Sequence, residues 1–340
     1  MVHEAVPKIE LHCHLIGTLN AELLRRLETT GEQLLADPER LRPVGFEEGP
    51  QGFADWLVRV EHYKSADWRR YLPVLDQHMA TLCRQGVVYA EMMISPTMFS
   101  RDLAEMVDQF AEFRERATAC ERGQVQVEFL FLIPRSLPDD LIDKDIARCV
   151  ALAETGGICG ISIAGLERDR PVTRFMRMFD ALKDCGLGIE IHAGELGGPD
   201  EVAEALDVGR ADRIGHGIAA FQDDRLIERL REENVHIEFC PTSNLKMGAV
   251  RDMACHPVGR ARDLAMNFSI NTDDPGAFDC DMASEFALVE QAFGFSKRDF
   301  AAIARNSMAS RFAKKLRYPD STYGCAAPDR PEVARVLTEC

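Results

Sequence analysis

Residues 87–94 (VVYAEMMI), 103–118 (LAEMVDQFAEFRERAT) and 125–133 (VQVEFLFLI) follow one another in the chain and decide its fold. The first and third segments are short and almost continuously apolar, as parallel strands are when both faces are covered. The segment between them carries apolar residues at helical spacing. A strand, a helix and a second strand in this order predict parallel pairing through a right-handed crossover.

The same alternation of strand and helix extends along the rest of the chain. Eight apolar runs are strand candidates: residues 8–14, 87–94, 125–133, 158–165, 188–194, 213–217, 235–241 and 267–274. Helical periodicity separates several of them, as at residues 172–183 and 225–232. Eight such units close most naturally into a (β/α)8 barrel of the TIM type, an α/β fold. A doubly wound open sheet is the alternative.

The domain organisation follows from the same pattern. No repeat, low-complexity tract or linker-like composition divides the chain, and α/β barrels often exceed about 250 residues as one unit. We therefore expect residues 1–340 to form a single (β/α)8 barrel domain. The longest interval, between the first two strands, predicts an inserted helical region, and it contains Phe53 and Trp56.

Composition limits the partners and the compartment. The chain has 40 Lys and Arg against 56 Asp and Glu, a formal charge of -16, which repels phosphate backbones and anionic lipid. A small-molecule substrate is expected, with no nucleic acid and no membrane. No leader-like opening and no apolar run near the ~18 residues of a membrane span is found, and the 11 cysteines form no C-x-x-C pair. A soluble cytoplasmic protein with reduced thiols is predicted.

Polar residues at the ends of four strand candidates suggest a metal site. His12 and His14 are two residues apart on one strand, so their imidazoles face the same side. His192, His216 and Asp273 follow three other strands. Because the carboxyl ends of the strands in a parallel barrel meet at one face, these side chains are expected to converge.

The type of ligand indicates the metal and the reaction. The imidazoles of His12, His14 and His192 with the carboxylate of Asp273 form a nitrogen-rich set that suits zinc, with iron, cobalt or manganese as alternatives. Zinc lowers the pKa of a water ligand to about 7, which favours hydrolysis at neutral pH. A binuclear site would usually need a bridging residue, often a modified lysine, on strand four, and residues 160–167 contain no lysine. One zinc per chain is expected.

Six motifs, in order, resemble the signature of the adenosine and adenine deaminase family, part of the metal-dependent amidohydrolases. They are PKIELHCHL (7–15), IAG (163–165), HAGE (192–195), RIGHG (213–217), CPTSN (240–244) and NTDDP (271–275). The resemblance, greatest to adenosine deaminase-like members, implies a zinc-dependent purine or purine nucleoside aminohydrolase. Such an enzyme acts on the C–N bond of a cyclic amidine and replaces the 6-amino group of the purine with oxygen.

The resemblance also implies roles for individual residues. His12, His14, His192 and Asp273 match the zinc ligands of the family. Glu195 matches the acid that protonates purine N1 during attack at C6, and His216 matches the residue that orients and helps to deprotonate the attacking water. Asp274 matches the residue that holds this water and meets the N7 edge, and the Gly165 backbone N–H matches the donor facing N3.

Three departures from the family leave the substrate open. Ile16 stands where adenosine-specific members carry an acid that binds the ribose 5′-hydroxyl and where adenine-specific members tend to carry Glu. Ser162 and Leu166 likewise replace frequent acids. We expect adenosine or a 5′-modified adenosine as the substrate, with free or modified adenine as the alternative. A mononuclear hydrolase acting on an amide or ester is the alternative from another class.

The segment with Phe53 and Trp56 resembles the helical gate that covers the purine in this family, so both residues and Ile16 are candidate substrate contacts. The alternative is a helix that packs Trp56 and Phe53 against the barrel.

Overall fold

Eight parallel strands form the centre of the fold. The computed structural model describes residues 2–28, 41–61, 67–121, 124–168 and 170–317. Each strand pairs in parallel with the next along the chain, in the order β1 to β8. The strands are β1 (Lys8–His14), β2 (Val87–Ile94), β3 (Gln126–Pro134), β4 (Gly160–Ala164), β5 (Gly188–Ala193), β6 (Arg213–His216), β7 (His236–Phe239) and β8 (Phe268–Ile270).

The first and last strands come together and nearly close the sheet. The backbone N–H of His14 donates to the carbonyl of Asp273, and the N–H of Asp273 donates to the carbonyl of His12, both at 2.9 Å. The side chain of Asn271 accepts a further bond from the N–H of Leu11 at 3.0 Å. The TIM-type barrel is therefore confirmed, and the open-sheet alternative is wrong.

Helices surround the barrel and also lie in the described parts of the interval between β1 and β2, as the sequence predicts. They are α1 (Ala21–Glu28), α2 (Gly49–Glu61), α3 (Leu72–Arg84), α4 (Leu103–Cys120), α5 (Asp139–Glu154), α6 (Met176–Asp184), α7 (Pro199–Asp207), α8 (Asp224–Glu232), α9 (Pro241–Lys246), α10 (Val258–Asp263), α11 (Pro275–Phe278), α12 (Met282–Phe293) and α13 (Lys297–Ala309). In the described ranges, none of them has the length and apolar character that crossing a bilayer requires.

The way α4 packs illustrates how this outer layer is held. Its N-terminus is capped by Asp102, whose carboxylate accepts from the N–H of Glu105 at 3.0 Å. Its buried face includes Phe110 and Phe113, three residues apart. Both rings pack on Phe129 of β3, with centroids 6.1 and 5.2 Å away. Apolar helix faces of this kind cover the outward side chains of the strands.

The inside of the barrel is polar, unlike the branched apolar layers that are usual in this fold. The guanidinium of Arg213 on β6 lies 2.6 Å from the carboxylates of both Glu91 on β2 and Glu238 on β7. Because β2 and β6 are not neighbours in the sheet, the contact with Glu91 crosses the interior. All three side chains are buried. A network of charges thus lies inside the barrel.

The opposite end of the barrel is closed by the segment that follows α13. The ring of Phe312 occupies the space beside Gly160 and Gly188, the first residues of β4 and β5, where any Cβ would lie 2.6 or 2.2 Å from it. The guanidinium of Arg213 stacks 3.6 Å from the centroid of this ring. Glycine at both strand starts is therefore what allows Phe312 to enter.

Candidate active site

The four predicted metal ligands meet at the carboxyl ends of the strands. His12 and His14 lie at the end of β1, His192 lies on β5, and Asp273 follows β8; all four are buried. The ring centroid of His12 is 5.6 Å from that of His14 and 4.5 Å from that of His192. The ring of His14 is 5.4 Å from that of His192. The barrel therefore brings together residues from three strands that are far apart in the sequence.

Spacing and unsatisfied atoms in this cluster fit a tetrahedral metal ion. Oδ1 of Asp273 lies 3.5 Å from Nε2 of His12 and 3.2 Å from Nε2 of His14. Two ligand atoms about 2.05 Å from a tetrahedral zinc ion would be about 3.3 Å apart. Among the described residues, Nε2 of His12, Nε2 of His192 and Oδ1 of Asp273 are buried without any hydrogen-bond partner. Since burying such atoms unpaired is costly, the residues present fit a bound cation.

Neighbouring side chains orient these ligands. Glu238 lies with its carboxylate 2.8 Å from Nδ1 of His12, which leaves Nε2 turned towards the centre of the cluster. The hydroxyl of Ser243 donates to Oδ2 of Asp273 at 2.6 Å, so that Oδ1 is left for the metal. Burial and the nearby imidazoles hold the pKa of His192 well below its usual range, and a neutral ring can bind a metal.

Glu195 lies beside this cluster, in the loop after β5. Its Oε2 is 3.7 Å from Nε2 of His216, and its side chain is 14% exposed. Burial, with the charge of Asp273 as a further cause, raises the pKa of Glu195 well above its usual range. A raised pKa favours the protonated form of this carboxyl group, which is the form that can act as an acid.

His216 and Asp274 complete the polar surface. The imidazole of His216 lies 3.2 Å from that of His192 and 3.1 Å from the side-chain amide of Asn244. Burial lowers the pKa of His216 to about 3, so the ring is neutral. Burial raises the pKa of Asp274 to about 7, against the effect of the nearby His14.

Backbone conformation marks the same positions. His216 and Asp273 both have a φ of 64°, and non-glycine residues with positive φ are uncommon. Gly165 after β4 has a φ of 102°. A Cβ at Gly165 would meet only the backbone nitrogen of Arg135, at 3.8 Å. Conformation rather than crowding by the protein therefore requires glycine here. Strained residues of this kind cluster at functional sites.

The predicted substrate contacts lie at different depths. Ile16 is half-buried in a short 3-10 helix, Ile16–Thr18, that directly follows the metal-ligand strand. The next residue, Gly17, packs on Asp274 so closely that a Cβ would lie 1.9 Å from its Oδ1. This packing places the segment with Ile16 beside the candidate site.

Phe53 and Trp56 lie on α2. The ring of Phe53 stacks on Trp56 at 6.2 Å and on Phe278 of α11 at 5.1 Å. Trp56 is fully buried, whereas Phe53 is half-buried. Because α11 begins at Pro275, directly after Asp274, α2 lies next to the site. Trp56 belongs to the packed core beneath it.

Sequence reasoning gave no role to Glu238, Ser243 and Asn244. Their side chains contact His12, Asp273 and His216, respectively. The available signals were a glutamate within the apolar run of residues 235–241 and the CPTSN motif itself. The same reasoning assigned nothing to Glu167, whose carboxylate accepts three backbone N–H bonds from the loop that carries Glu195.

Comparisons with known proteins agree with this arrangement. The family model described as "Adenosine deaminase" matches residues 7–318. The adenine deaminase of Rhizobium meliloti (strain 1021) is 31% identical over 311 residues, which cover 90% of this chain and 94% of the relative. The structure of adenine deaminase from Arthrobacter aurescens superposes with a TM-score of 0.80 at 26% identity, over 98% of both chains.

An amidohydrolase from Burkholderia ambifaria, solved with bound Zn, has the same fold. It superposes with a TM-score of 0.77 at 21% identity, over 92% of this chain and 87% of that one. The family match spans most of the chain and includes every strand and the whole histidine and carboxylate cluster. The chain therefore belongs to the adenosine deaminase family and is an aminohydrolase that acts on C–N bonds.

Proposed function

We propose that the protein converts free adenine and water to hypoxanthine and ammonia with the help of one zinc ion. A C6–O bond forms and the C6–N6 bond breaks. The observation that carries this proposal is the convergence of the unpaired ligand atoms of His12, His192 and Asp273 beside the carboxyl group of Glu195, whose pKa is raised by burial. A metal site next to a neutral acid suits attack by water on a ring carbon whose neighbouring nitrogen takes up charge.

The zinc would be held by His12, His14, His192 and Asp273. The ligand atoms of His12, His14 and Asp273 lie within 4.8 Å of one another, and His192 lies within the same distance of His12. When bound, zinc supplies a Lewis acid that makes water nucleophilic near neutral pH. The bound Zn of the Burkholderia ambifaria amidohydrolase supports this choice of metal. The four ligands come from β1, from β5 and from the segment after β8, and these strands meet only when the barrel is closed. The ligands therefore hold the ion only in the folded barrel.

The chain's own residues provide the remaining steps. Glu195 donates its proton to N1 as water adds to C6. The neutral imidazole of His216 accepts one proton from the attacking water and passes it to the amino group, which leaves as ammonia. The second proton of that water returns to Glu195. Asp274 orients the water and meets the N7 edge. The N–H of Gly165, whose positive φ turns the chain after β4, binds N3. Because the cluster is buried, bulk water does not compete with the substrate for these hydrogen bonds.

The choice of base over nucleoside rests on the relatives, whereas Ile16 weighs only against the 5′-hydroxyl of adenosine. Sequence reasoning placed adenosine and its 5′-modified derivatives first, but relatives from Rhizobium meliloti and Sinorhizobium fredii, which match over 90% of the chain, are adenine deaminases. A 5′-hydroxyl buried against the half-buried isoleucine would lack a partner, at a cost of roughly 1 to 3 kcal/mol. A 5′-deoxyadenosine avoids this cost and is the second candidate substrate.

Steady-state rates of ammonia release test the substrate. We expect kcat/KM to be highest for adenine and higher for 5′-deoxyadenosine than for adenosine. Ile16→Asp should shift the ratio of the two nucleosides towards adenosine by about 5- to 150-fold, the equivalent of the cost above. Ile16→Val is the matched control and should leave the ratio unchanged. A native preference for adenosine, or turnover restricted to amides or esters, would contradict the proposed substrate.

Metal analysis tests the zinc site. The purified chain should contain about one zinc ion per chain. In His192→Ala the zinc content should fall to a small fraction of this value, because only three ligands remain and a methyl group replaces the fourth. The control is His78→Gln, a buried histidine that lies 3.6 Å from Cys13 on the outer side of β1. This control should keep its zinc. Two zinc ions per chain, or full zinc content in His192→Ala, would overturn the mononuclear assignment.

A further inference from the structure

The loop that carries Glu195 is held by a second carboxylate from the neighbouring strand end. Glu167 follows β4, and its side chain is buried. Its Oε2 accepts from the N–H of Gly194 at 2.6 Å, and its Oε1 accepts from the N–H groups of Glu195 and Leu196 at 2.9 and 3.1 Å. Three consecutive backbone donors therefore converge on one carboxylate, which uses both of its oxygens.

The surrounding sequence leaves room for this carboxylate. A Cβ at Gly197 would lie 2.6 Å from Oε2 of Glu167, so a side chain there would displace it. Gly194 has a φ of 71°, which turns its N–H and those that follow towards the same side. The loop is thus built around the carboxylate of Glu167.

Arg135 at the end of β3 holds the same segment from its other end. Its guanidinium donates to the carbonyl of His192 and to the carbonyl of Arg170, each at 2.7 Å. The N–H of Arg170 in turn donates to the carbonyl of Glu167 at 3.1 Å. The backbone from His192 to Leu196 is consequently held at its first carbonyl and at three later N–H groups.

We propose that Glu167 is a positioning residue for the deamination reaction: it fixes the backbone of Glu195 so that the acidic proton points at the substrate nitrogen. This inference rests on the proposed function, because it assigns Glu195 the role of the acid. Holding the backbone matters because a displacement of about 1 Å in a catalytic group can lower a rate by about 100-fold. Glu167 itself touches neither substrate nor metal in this proposal.

Glu167→Gln separates this role from general stability. Glutamine keeps the shape but has one acceptor oxygen, and its NH2 group would face a backbone N–H. We expect kcat to fall by about 10- to 100-fold, with zinc content and KM nearly unchanged. Hydrogen exchange of residues 194–196 should become at least about 10-fold faster, whether or not zinc is bound.

Glu201→Gln is the matched control. Its carboxylate also holds this loop but accepts only one N–H, that of Gly198 at 2.7 Å, and the single oxygen of glutamine can replace it. This variant should keep its kcat. Gly197→Ala provides a second route if Glu167→Gln folds poorly. The added methyl group would lie 2.6 Å from Oε2 of Glu167 and 2.8 Å from Cδ of Glu201, so it displaces both carboxylates without removing them, and Glu201→Gln controls for the second displacement. It should reproduce the loss of kcat and the faster exchange.

The double variant Glu167→Gln with Glu195→Gln decides whether Glu167 acts through Glu195. If it does, the double variant has the kcat of Glu195→Gln alone, within about threefold. A further fall by the factor seen in the single Glu167→Gln variant, or a normal kcat in that variant, would overturn the inference. An unchanged kcat in Glu195→Gln would instead overturn the proposed function, so the two failures can be told apart.

Discussion

Replacing Glu195 with glutamine is expected to lower kcat on the best 6-aminopurine substrate by about 10²- to 10⁴-fold, the usual contribution of general acid catalysis. Glutamine has the same shape as the protonated acid, but its amide cannot give up a proton at neutral pH. Oε1 of Glu195 has no hydrogen-bond partner among the described residues, so the acid is free to meet the substrate. Ammonia release under saturating substrate measures the effect.

Zinc content and a neighbouring substitution serve as controls for this experiment. Zinc should stay bound in Glu195→Gln, because the predicted ligands His12, His14, His192 and Asp273 are intact. Asp200→Asn removes a carboxyl group from the exposed start of α7 and should leave kcat unchanged. A Glu195→Gln enzyme with nearly native kcat would show that another group supplies the proton.

The order of strands and helices was predictable because it depends on local patterns. The predicted strands at residues 8–14 and 87–94 agree with Lys8–His14 and Val87–Ile94, and the helix predicted at residues 103–118 agrees with Leu103–Cys120. The predicted strand at 267–274 is longer than the observed Phe268–Ile270. The regular strand ends at Ile270, and Asp273, which takes a positive φ, rejoins the sheet only as a single bridge to Cys13.

Predicting the candidate site required only that strand ends converge, whereas its supports depend on contacts across the barrel. His12 and His14 were predictable from their spacing on one strand. The partner of His12, Glu238, comes from β7, and no local pattern pairs residues 226 positions apart. Glu167 reaches the β5 loop only because β4 and β5 are adjacent. Such contacts follow from how the barrel closes, which sequence periodicity does not specify.

The charge network beneath the site leads to the largest expected change in stability. Arg213 is 1% exposed and lies 2.6 Å from the carboxylates of Glu91 and Glu238, both fully buried. Removing one partner of a buried pair leaves an uncompensated charge and costs about 3 to 5 kcal/mol. Two carboxylates lose their counter-charge here, and the stacking of the guanidinium on Phe312 is lost as well.

We therefore expect Arg213→Leu to lower the free energy of unfolding by about 3 to 5 kcal/mol, measured by denaturant titration of the metal-free chain. The metal-free chain is the right reference, because bound zinc would add its own stabilisation.

Arg210→Leu is the matched control: this arginine lies three positions earlier, and its pair with Asp180 is exposed, with a distance of 3.1 Å. Exposed pairs contribute only about 0 to 1 kcal/mol. If the two variants lost the same free energy, the cross-barrel contacts of Arg213 would not support the floor of the site. A loss confined to Arg213→Leu, together with weaker zinc binding, would show that the arginine holds Glu238 in place and through it the orientation of His12.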